Sequence, residues 1–125
     1  MNLLLDTQVL LWCLADPGHL RREARDRLVD PASVVYASAV SGWEIAIKRA
    51  LGKLDAPDDL EQQLVNRRFV ELPLHLRHAG ALAGLPPIHR DPFDRMLVAQ
   101  AKADGLTLVT RDRQIAKYPI ATLLA

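Results

Sequence analysis

Four carboxylates stand where an apolar run of the sequence gives way to the start of a predicted helix. They are Asp6, Glu44, Asp94 and Asp112. In a parallel α/β sheet such junctions share one edge, because the carboxyl ends of the strands meet the helix N-termini there. Four acids gathered at one edge would repel one another unless a divalent cation lay between them. The pattern is typical of a metal-dependent nuclease or a related phosphoryl-transfer enzyme.

Each of the four acids also has a structural explanation. Asp6 suits the N-cap of the helix that follows it, and Asp112 suits the cap of the next turn. Ser41 and Glu44 have the Ser-x-x-Glu spacing of a capping box, and Glu44 can also pair with Lys48 one turn later. Helix capping explains one acid better than it explains all four. Ser, Thr or Asn caps a helix as well as an acid does, yet each of the four junctions has an acid.

The segment Asp91-Pro92-Phe93-Asp94 contains two acids with different expected roles. An aspartate followed by proline is the pattern of an N-cap and a first helical residue. Asp94 would then lie in the first turn and point toward the same edge as Asp6. We therefore interpret Asp91 mainly as the helix cap, and we assign supporting roles behind the ligands to Asp91 and Ser41.

The chemistry expected of these acids is metal-assisted hydrolysis of phosphodiester bonds by one or two cations. Carboxylate oxygens suit Mg²⁺ or Mn²⁺, and the histidine and cysteine spacing typical of zinc is absent. Asp6 is the expected central ligand, because it ends the strand that we place at the centre of the sheet. His75, His78 and His89 are interpreted as surface or loop residues. Four residues that border the acids are candidates for substrate contact: Thr110, Arg111, Arg95 and Arg90.

Other kinds of site do not fit the sequence. It contains no Gly-x-x-x-x-Gly-Lys phosphate loop, no Gly-x-Gly-x-x-Gly dinucleotide motif and no Gly-x-Ser-x-Gly nucleophile. Trp12 and Trp43 lie on apolar helical faces, so we predict them in the core rather than as platforms for stacked bases.

Composition sets the class of protein. The 125 residues, half of them hydrophobic, suit one domain spanning 1–125. The net charge is +1, but with the four acids set aside 16 basic residues face 11 acidic ones. That balance of +5 suits a polyanionic substrate, although charged helix faces explain it equally well.

A single cysteine, Cys13, excludes an internal disulfide, and no apolar run is long enough to span a membrane. We therefore expect a cytoplasmic protein without a signal peptide.

The chain alternates short apolar strands with helices. Strands are predicted at 2–6, 34–37, 69–72 and 107–110, with a weaker one at 119–123. Helices are predicted at 7–15, 19–30, 41–51, 57–65, 75–85 and 92–104, with a loop at 84–92. Hairpin signals are absent, so the fold class expected is α/β, a three-layer α/β/α arrangement with a short central parallel sheet of four to five strands. Helices 19–30 and 58–65 are predicted to flank a groove for an apolar partner helix.

Four motifs resemble those of PIN-domain proteins, and more narrowly of the VapC-type toxins of bacterial or archaeal toxin–antitoxin pairs. They lie at 3–7, 39–48, 90–101 and 108–112. The resemblance covers essentially the whole chain and implies a PIN-like fold. It further implies a Mg²⁺-dependent endoribonuclease in which Asp6, Glu44, Asp94 and Asp112 are the acidic residues. It also implies a homodimer that a small VapB-like antitoxin inhibits, in a heterotetramer or a larger assembly.

Two other functions compete with that of an RNA-cleaving toxin. The first is a housekeeping PIN nuclease in RNA maturation, which the presence or absence of a short antitoxin reading frame directly upstream would distinguish. The second is a non-catalytic interaction module, either receiver-like or derived from a PIN domain. A receiver would need paired acids after the first strand, where Asp6 stands alone, and an inactive PIN module would be expected to have lost acids that this chain keeps.

Overall fold

Five short strands pair in parallel at the centre of the molecule, in the order β3-β2-β1-β4-β5. The computed structural model describes all residues from 1 to 125. The strands are β1 (Asn2–Leu5), β2 (Val34–Ser38), β3 (Val70–Leu72), β4 (Thr107–Thr110) and β5 (Thr122–Leu124). Because β1 is the middle strand, three successive leucines in it are fully buried. The placement of β1 at the centre agrees with the sequence prediction.

Six helices connect and cover these strands. They are α1 (Thr7–Ala15), α2 (Arg22–Val29), α3 (Ala39–Ala50), α4 (Leu60–Asn66), α5 (Leu76–Leu82) and α6 (Pro92–Asp104). Single 3-10 turns follow α1 and β4 at Pro17–His19 and Ile115–Lys117. None of the helices combines the length and the apolar composition that crossing a bilayer requires.

Two apolar clusters lie on the opposite faces of the sheet. Leu3 and Leu5 point into one cluster, which residues of α1 and α2 complete, whereas Leu4 points into the other with Leu97 of α6. Successive side chains of a strand point to opposite faces, so one apolar strand feeds both clusters. The result is the predicted α/β/α arrangement, with five strands in the sheet.

The start of α3 differs from the sequence prediction. The helix begins at Ala39 and its N-cap is Ser38, whose hydroxyl accepts a hydrogen bond from the Val40 N–H at 3.0 Å. The predicted capping box of Ser41 and Glu44 is therefore wrong. Both serines can cap a helix, but Ser38 still pairs with β3, so strand and helix meet without a loop. Ser41 is instead buried inside the first turn, where its hydroxyl accepts a hydrogen bond from Thr7.

His78 is the second departure, because it is fully buried rather than at the surface. Its Nδ1 accepts a hydrogen bond from the backbone N–H of His75 at 3.0 Å, so the ring proton lies on Nε2. That nitrogen donates to Asp104 at 3.0 Å and ties α5 to the end of α6. The ends of α2, α4, α5 and β5 are also shifted from their predicted positions by a few residues, and those of β1, β2 and β3 by one residue.

Candidate metal centre

The four predicted acids line a single cleft of about 340 Å³ at the carboxyl edge of the sheet. Asp6 directly follows β1 and Asp112 lies two residues beyond β4, while Glu44 and Asp94 stand on α3 and α6. Asp91 lines the same cleft. The remaining lining residues are Thr7, Gln8, Leu11, Lys48, Leu54 and Arg111. The topology thus brings together acids that are up to 106 positions apart in the chain.

Asp6 is held rigidly at the bottom of this cleft. Its Oδ1 accepts a hydrogen bond from the Val9 N–H at 2.8 Å, and its Oδ2 accepts one from the Thr110 hydroxyl at 2.5 Å. Burial raises the pKa of this carboxyl above its ordinary value. The hydrogen bonds from Thr110 and Val9 oppose that rise, while the charges of Asp112 and Glu44 add to it. The orientation of the Asp6 carboxylate is therefore fixed, and its charged form is disfavoured unless a positive charge lies beside it.

Glu44 supplies an acceptor that the protein leaves unused. The residue is only 5% exposed; its Oε2 pairs with the ammonium group of Lys48, and its Oε1 is buried without a hydrogen-bond partner. A buried carboxylate oxygen without a partner is costly, and nearly all such groups in proteins are paired. A cation in the cleft would satisfy this oxygen.

Asp91 caps α6, as predicted. Its Oδ1 accepts hydrogen bonds from the N–H groups of Phe93 at 2.8 Å and Asp94 at 3.0 Å. Asp94 stands in the first turn of the helix. Burial, followed by repulsion from Asp91 and Asp6, raises the pKa of Asp94 to about 7. Near neutral pH, this carboxyl is thus poised between its protonated and charged forms.

His89 lies in the loop before α6, as predicted, but its ring also joins two of the acids, which was not expected. The Asp91 N–H donates to its Nδ1 at 3.0 Å, which leaves the ring proton on Nε2. That nitrogen lies 2.8 Å from Oδ2 of Asp112 and 3.3 Å from Oδ2 of Asp94. The potential ligand atoms of these three residues all lie within 4.8 Å of one another. The sequence signal for His89 was only its place two residues before the helix cap.

The pKa of Asp112 is shifted in the opposite direction to that of Asp94. Burial favours a higher pKa, but the hydrogen bond from His89 and those from the backbone N–H groups of Gln114 and Ile115 outweigh it and hold the pKa below its ordinary value. The bond from the Gln114 N–H, at 2.8 Å, is the turn cap predicted from the sequence. Asp112 is therefore charged at neutral pH, beside two acids whose charge burial disfavours.

The family model of the PIN domain matches residues 3–121. The chain belongs to the PIN domain family. A search of curated protein sequences gives no significant match.

Solved structures with a similar fold span this PIN domain almost completely. VapBC2 from Rickettsia felis, bound to a DNA fragment from the promoter, is 14% identical with a TM-score of 0.75, over 99% of this chain and 98% of that one. FitAcB from Neisseria gonorrhoeae is 22% identical with a TM-score of 0.62, over 97% and 96%. A toxin–antitoxin complex from Klebsiella pneumoniae is 18% identical with a TM-score of 0.62, over 96% and 94%. At these identities the likeness concerns the fold.

The predicted substrate-contact residues of this PIN domain lie in four different settings. Thr110 is buried, with its hydroxyl donating to Asp6 and accepting from the Asp112 N–H at 3.0 Å. Arg95 donates from Nη1 to the Pro86 carbonyl at 3.0 Å and to the Tyr118 hydroxyl at 3.1 Å, outside the cleft lining. Arg90 is exposed and also outside the lining.

Arg111 lines the cleft, but its guanidinium group is already engaged. It donates from Nε to the Ala125 carbonyl at 2.9 Å and from Nη2 to the carbonyl of His19, and it stacks over the ring of Trp12 at 4.3 Å. The contacts of Arg111 and Arg95 thus hold loops of the PIN domain in place. Their assignment to substrate stays a prediction.

The two tryptophans also differ from each other. Trp12 is half-buried and packs against the apolar cluster on the α1 side of the sheet, stacked on His19 with ring centroids 4.5 Å apart. Trp43 is 58% exposed, so its predicted place in the core is wrong. It meets Phe93 edge-to-face at 5.0 Å. The reason is that α3 turns its Glu44 face toward the cleft and leaves the neighbouring Trp43 face outside.

Proposed function

We propose that this PIN domain is a Mg²⁺- or Mn²⁺-dependent endoribonuclease and the toxin of a toxin–antitoxin pair. The observation that carries the proposal is the convergence of Asp6, Glu44, Asp94 and Asp112 in one cleft, with a buried oxygen of Glu44 left without a partner. Neither apolar packing nor helix capping requires this arrangement, whereas a cation bound among the acids does.

The residues present fit a hard divalent cation. Asp6, Glu44, Asp94 and Asp112 would hold it through oxygen atoms, the ligands that Mg²⁺ and Mn²⁺ prefer. When bound, the cation would supply Lewis acidity toward a water molecule and a phosphate oxygen. The raised pKa values of Asp6 and Asp94 fit the same assignment, because a cation favours the charged form that burial disfavours.

The protein's own groups would orient the ligands. Thr110 and the first turn of α1 fix the two oxygens of Asp6, and Asp91 fixes the start of the helix that carries Asp94. Because each ligand is held by a rigid element, little order is lost when the site binds its cation. His89 would have to release Asp94 or Asp112 when the cation binds, because its Nε2 contacts the same carboxylate oxygens that the cation would use.

The antitoxin is proposed from the fold and from a second surface depression. The structures of similar fold are described as VapBC, FitAB and toxin–antitoxin complexes. A depression of about 580 Å³ lies between α2 and the segment after α4, with an apolar floor that includes Leu20, Leu28 and Phe69 and with Arg25 and Arg67 among its walls. The sequence predicts a groove between helices 19–30 and 58–65, and the depression is lined by residues of the first helix and by residues 67–69, which follow the second. A VapB-like partner with apolar and acidic side chains would suit it, in a heterotetramer or larger assembly of the homodimer.

RNA as the substrate and the cytoplasm as the site of action belong to the same proposal. The excess of basic residues outside the metal centre supports a polyanionic substrate, and the family resemblance of the motifs supports RNA.

The test is expression of the wild type and of Glu44→Gln, each alone and with the product of the adjacent upstream gene. We expect the wild type alone to arrest growth and to produce new RNA ends, which sequencing of total RNA detects. Glu44→Gln should be harmless, and the upstream product should neutralise the wild type. Harmless expression of the wild type alone with intact host RNA would remove the toxin proposal and favour a housekeeping nuclease.

A further inference from the structure

The cleft has few basic side chains with which to bind a phosphodiester. Five carboxylates line it, against two basic side chains, Lys48 and Arg111. A phosphodiester group carries one negative charge, so a charge-assisted hydrogen bond from a basic side chain would bind it more tightly than a metal ion alone. The two basic side chains differ in how freely they can move toward a bound phosphodiester.

Arg111 is poorly suited to that task. Its guanidinium group is bonded to the carbonyls of His19 and Ala125 and is stacked on Trp12. Turning it toward a phosphate would leave these carbonyls without their donor and separate the stacked pair. The predicted contacts Arg90 and Arg95 lie outside the lining.

Lys48 is held much more loosely. It stands one helical turn after Glu44, and its ammonium group has one hydrogen-bond partner, Oε2 of that residue. Its side chain is 37% exposed and bonds to no backbone carbonyl. An ammonium group has three donors on a flexible stem, so it can change partners by rotation about side-chain bonds alone.

We propose that Lys48 is the phosphate-binding residue of this site, held on Glu44 until a divalent cation takes that carboxylate. The cation and the ammonium group compete for the same carboxylate charge, and Oε1 of Glu44 has no hydrogen-bond partner that the cation would have to displace. Once displaced, Lys48 remains in the lining of the cleft, beside the place where the phosphodiester must lie. The inference rests on the proposed nuclease function.

The experiment compares purified wild type with Lys48→Met, Lys48→Arg and the matched control Lys102→Met. Lys102 is exposed in the last turn of α6 and outside the cleft, so its replacement removes the same charge elsewhere. Mn²⁺ binding is measured by calorimetry without RNA. Cleavage of a labelled RNA oligonucleotide at saturating Mn²⁺ gives KM and kcat at several salt concentrations.

For Lys48→Met we expect Mn²⁺ to bind about twofold to fivefold more tightly, since the partly exposed ammonium group that competes for Glu44 is removed. KM should rise by about tenfold or more, the usual effect of losing a charge-assisted hydrogen bond, with a smaller change in kcat. The slope of log KM against log salt should fall by about 0.7, the effect of one lost phosphate contact to a single strand. Lys48→Arg should keep most of the affinity for RNA, and Lys102→Met should match the wild type.

An unchanged KM in Lys48→Met, or weaker Mn²⁺ binding than in the wild type, would overturn the inference while leaving the nuclease function intact. Weaker metal binding would mean that Lys48 only orients Glu44. Absence of cleavage by the wild type would overturn the proposed function itself, and that failure is visible before any variant is compared.

Discussion

The ring of His89 donates a hydrogen bond of 2.8 Å from Nε2 to Oδ2 of Asp112. The two residues belong to the loop before α6 and to the turn after β4, so the bond ties together two segments that carry acids of the cleft. The same nitrogen lies 3.3 Å from Asp94. A single N–H group thus relieves part of the repulsion between two carboxylates when no cation is present.

Replacing His89 with alanine should destabilise the protein in chelator. We expect a loss of about 1 kcal/mol for the hydrogen bond, which corresponds to about 4 °C in Tm for a domain of this size. Added Mg²⁺ should restore much of that loss, because the cation takes over the neutralisation of Asp94 and Asp112. Thermal melts with and without Mg²⁺ measure both effects. Equal destabilisation in the two conditions would show that His89 acts only through loop packing.

Asp6→Asn should leave the protein folded and as stable as the wild type, or more stable, in chelator. Asparagine can still cap α1, since its side-chain oxygen can accept from the Val9 N–H. It also removes a buried charge that burial and two neighbouring acids disfavour. Urea unfolding at neutral pH gives the free energy of unfolding of both proteins. A marked loss of stability would contradict the view that Asp6 matters for its negative charge in the cleft rather than for its packing in the fold.

The stability difference between Asp94→Asn and the wild type should depend on pH. In the unfolded chain this carboxyl ionises near its ordinary pKa of 3.8, and in the folded protein near 7. Between those values the unfolded state has already lost the proton that the folded state keeps, so rising pH favours unfolding of the wild type. In chelator, the advantage of Asp94→Asn should therefore grow from about pH 4 to about pH 7 and stay constant above. Urea unfolding across this range measures it, and a difference independent of pH would contradict the assignment.

Asp91 and Asp94 should respond differently to the same substitution. Asp91→Asn keeps an acceptor for the N–H groups of Phe93 and Asp94, so it should retain most of its cleavage activity. Asp94→Asn should lose about a hundredfold or more, because a missing ligand weakens the several kcal/mol of stabilisation that a cation supplies. Parallel cleavage assays decide between the two. If only Asp91→Asn abolished activity, Asp91 rather than Asp94 would be the ligand.

Local signals in the sequence were sufficient for the elements that carry strong end markers. The helix α6 has its predicted bounds because Asp91 and Pro92 begin it and Gly105, at a φ of 66°, ends it. The strand β4 likewise matches its prediction. Asp6 could be placed because an apolar run, a single acid and a helix follow one another directly.

The features that the sequence did not reveal depend on contacts between distant segments. Ser38 rather than Ser41 caps α3 because its hydroxyl also donates to Gln100 at 2.6 Å, 62 positions along the chain. His89 reaches Asp112 across 23 positions, and nothing in the spacing of the histidines indicates this. The burial of His78 and the exposure of Trp43 follow from how α5 and α3 are rotated against their neighbours, which periodicity alone does not determine.

The central claim is that the four converging carboxylates hold a divalent cation for phosphodiester hydrolysis. The most direct measurement is cleavage of a labelled RNA oligonucleotide by purified wild type and Asp6→Asn, each in Mg²⁺, in Mn²⁺ and in EDTA. We expect the wild type to cleave with either cation and to stop in EDTA, and Asp6→Asn to stay at the buffer background throughout. Cleavage by the wild type that persists in EDTA, or full activity of Asp6→Asn, would contradict the claim.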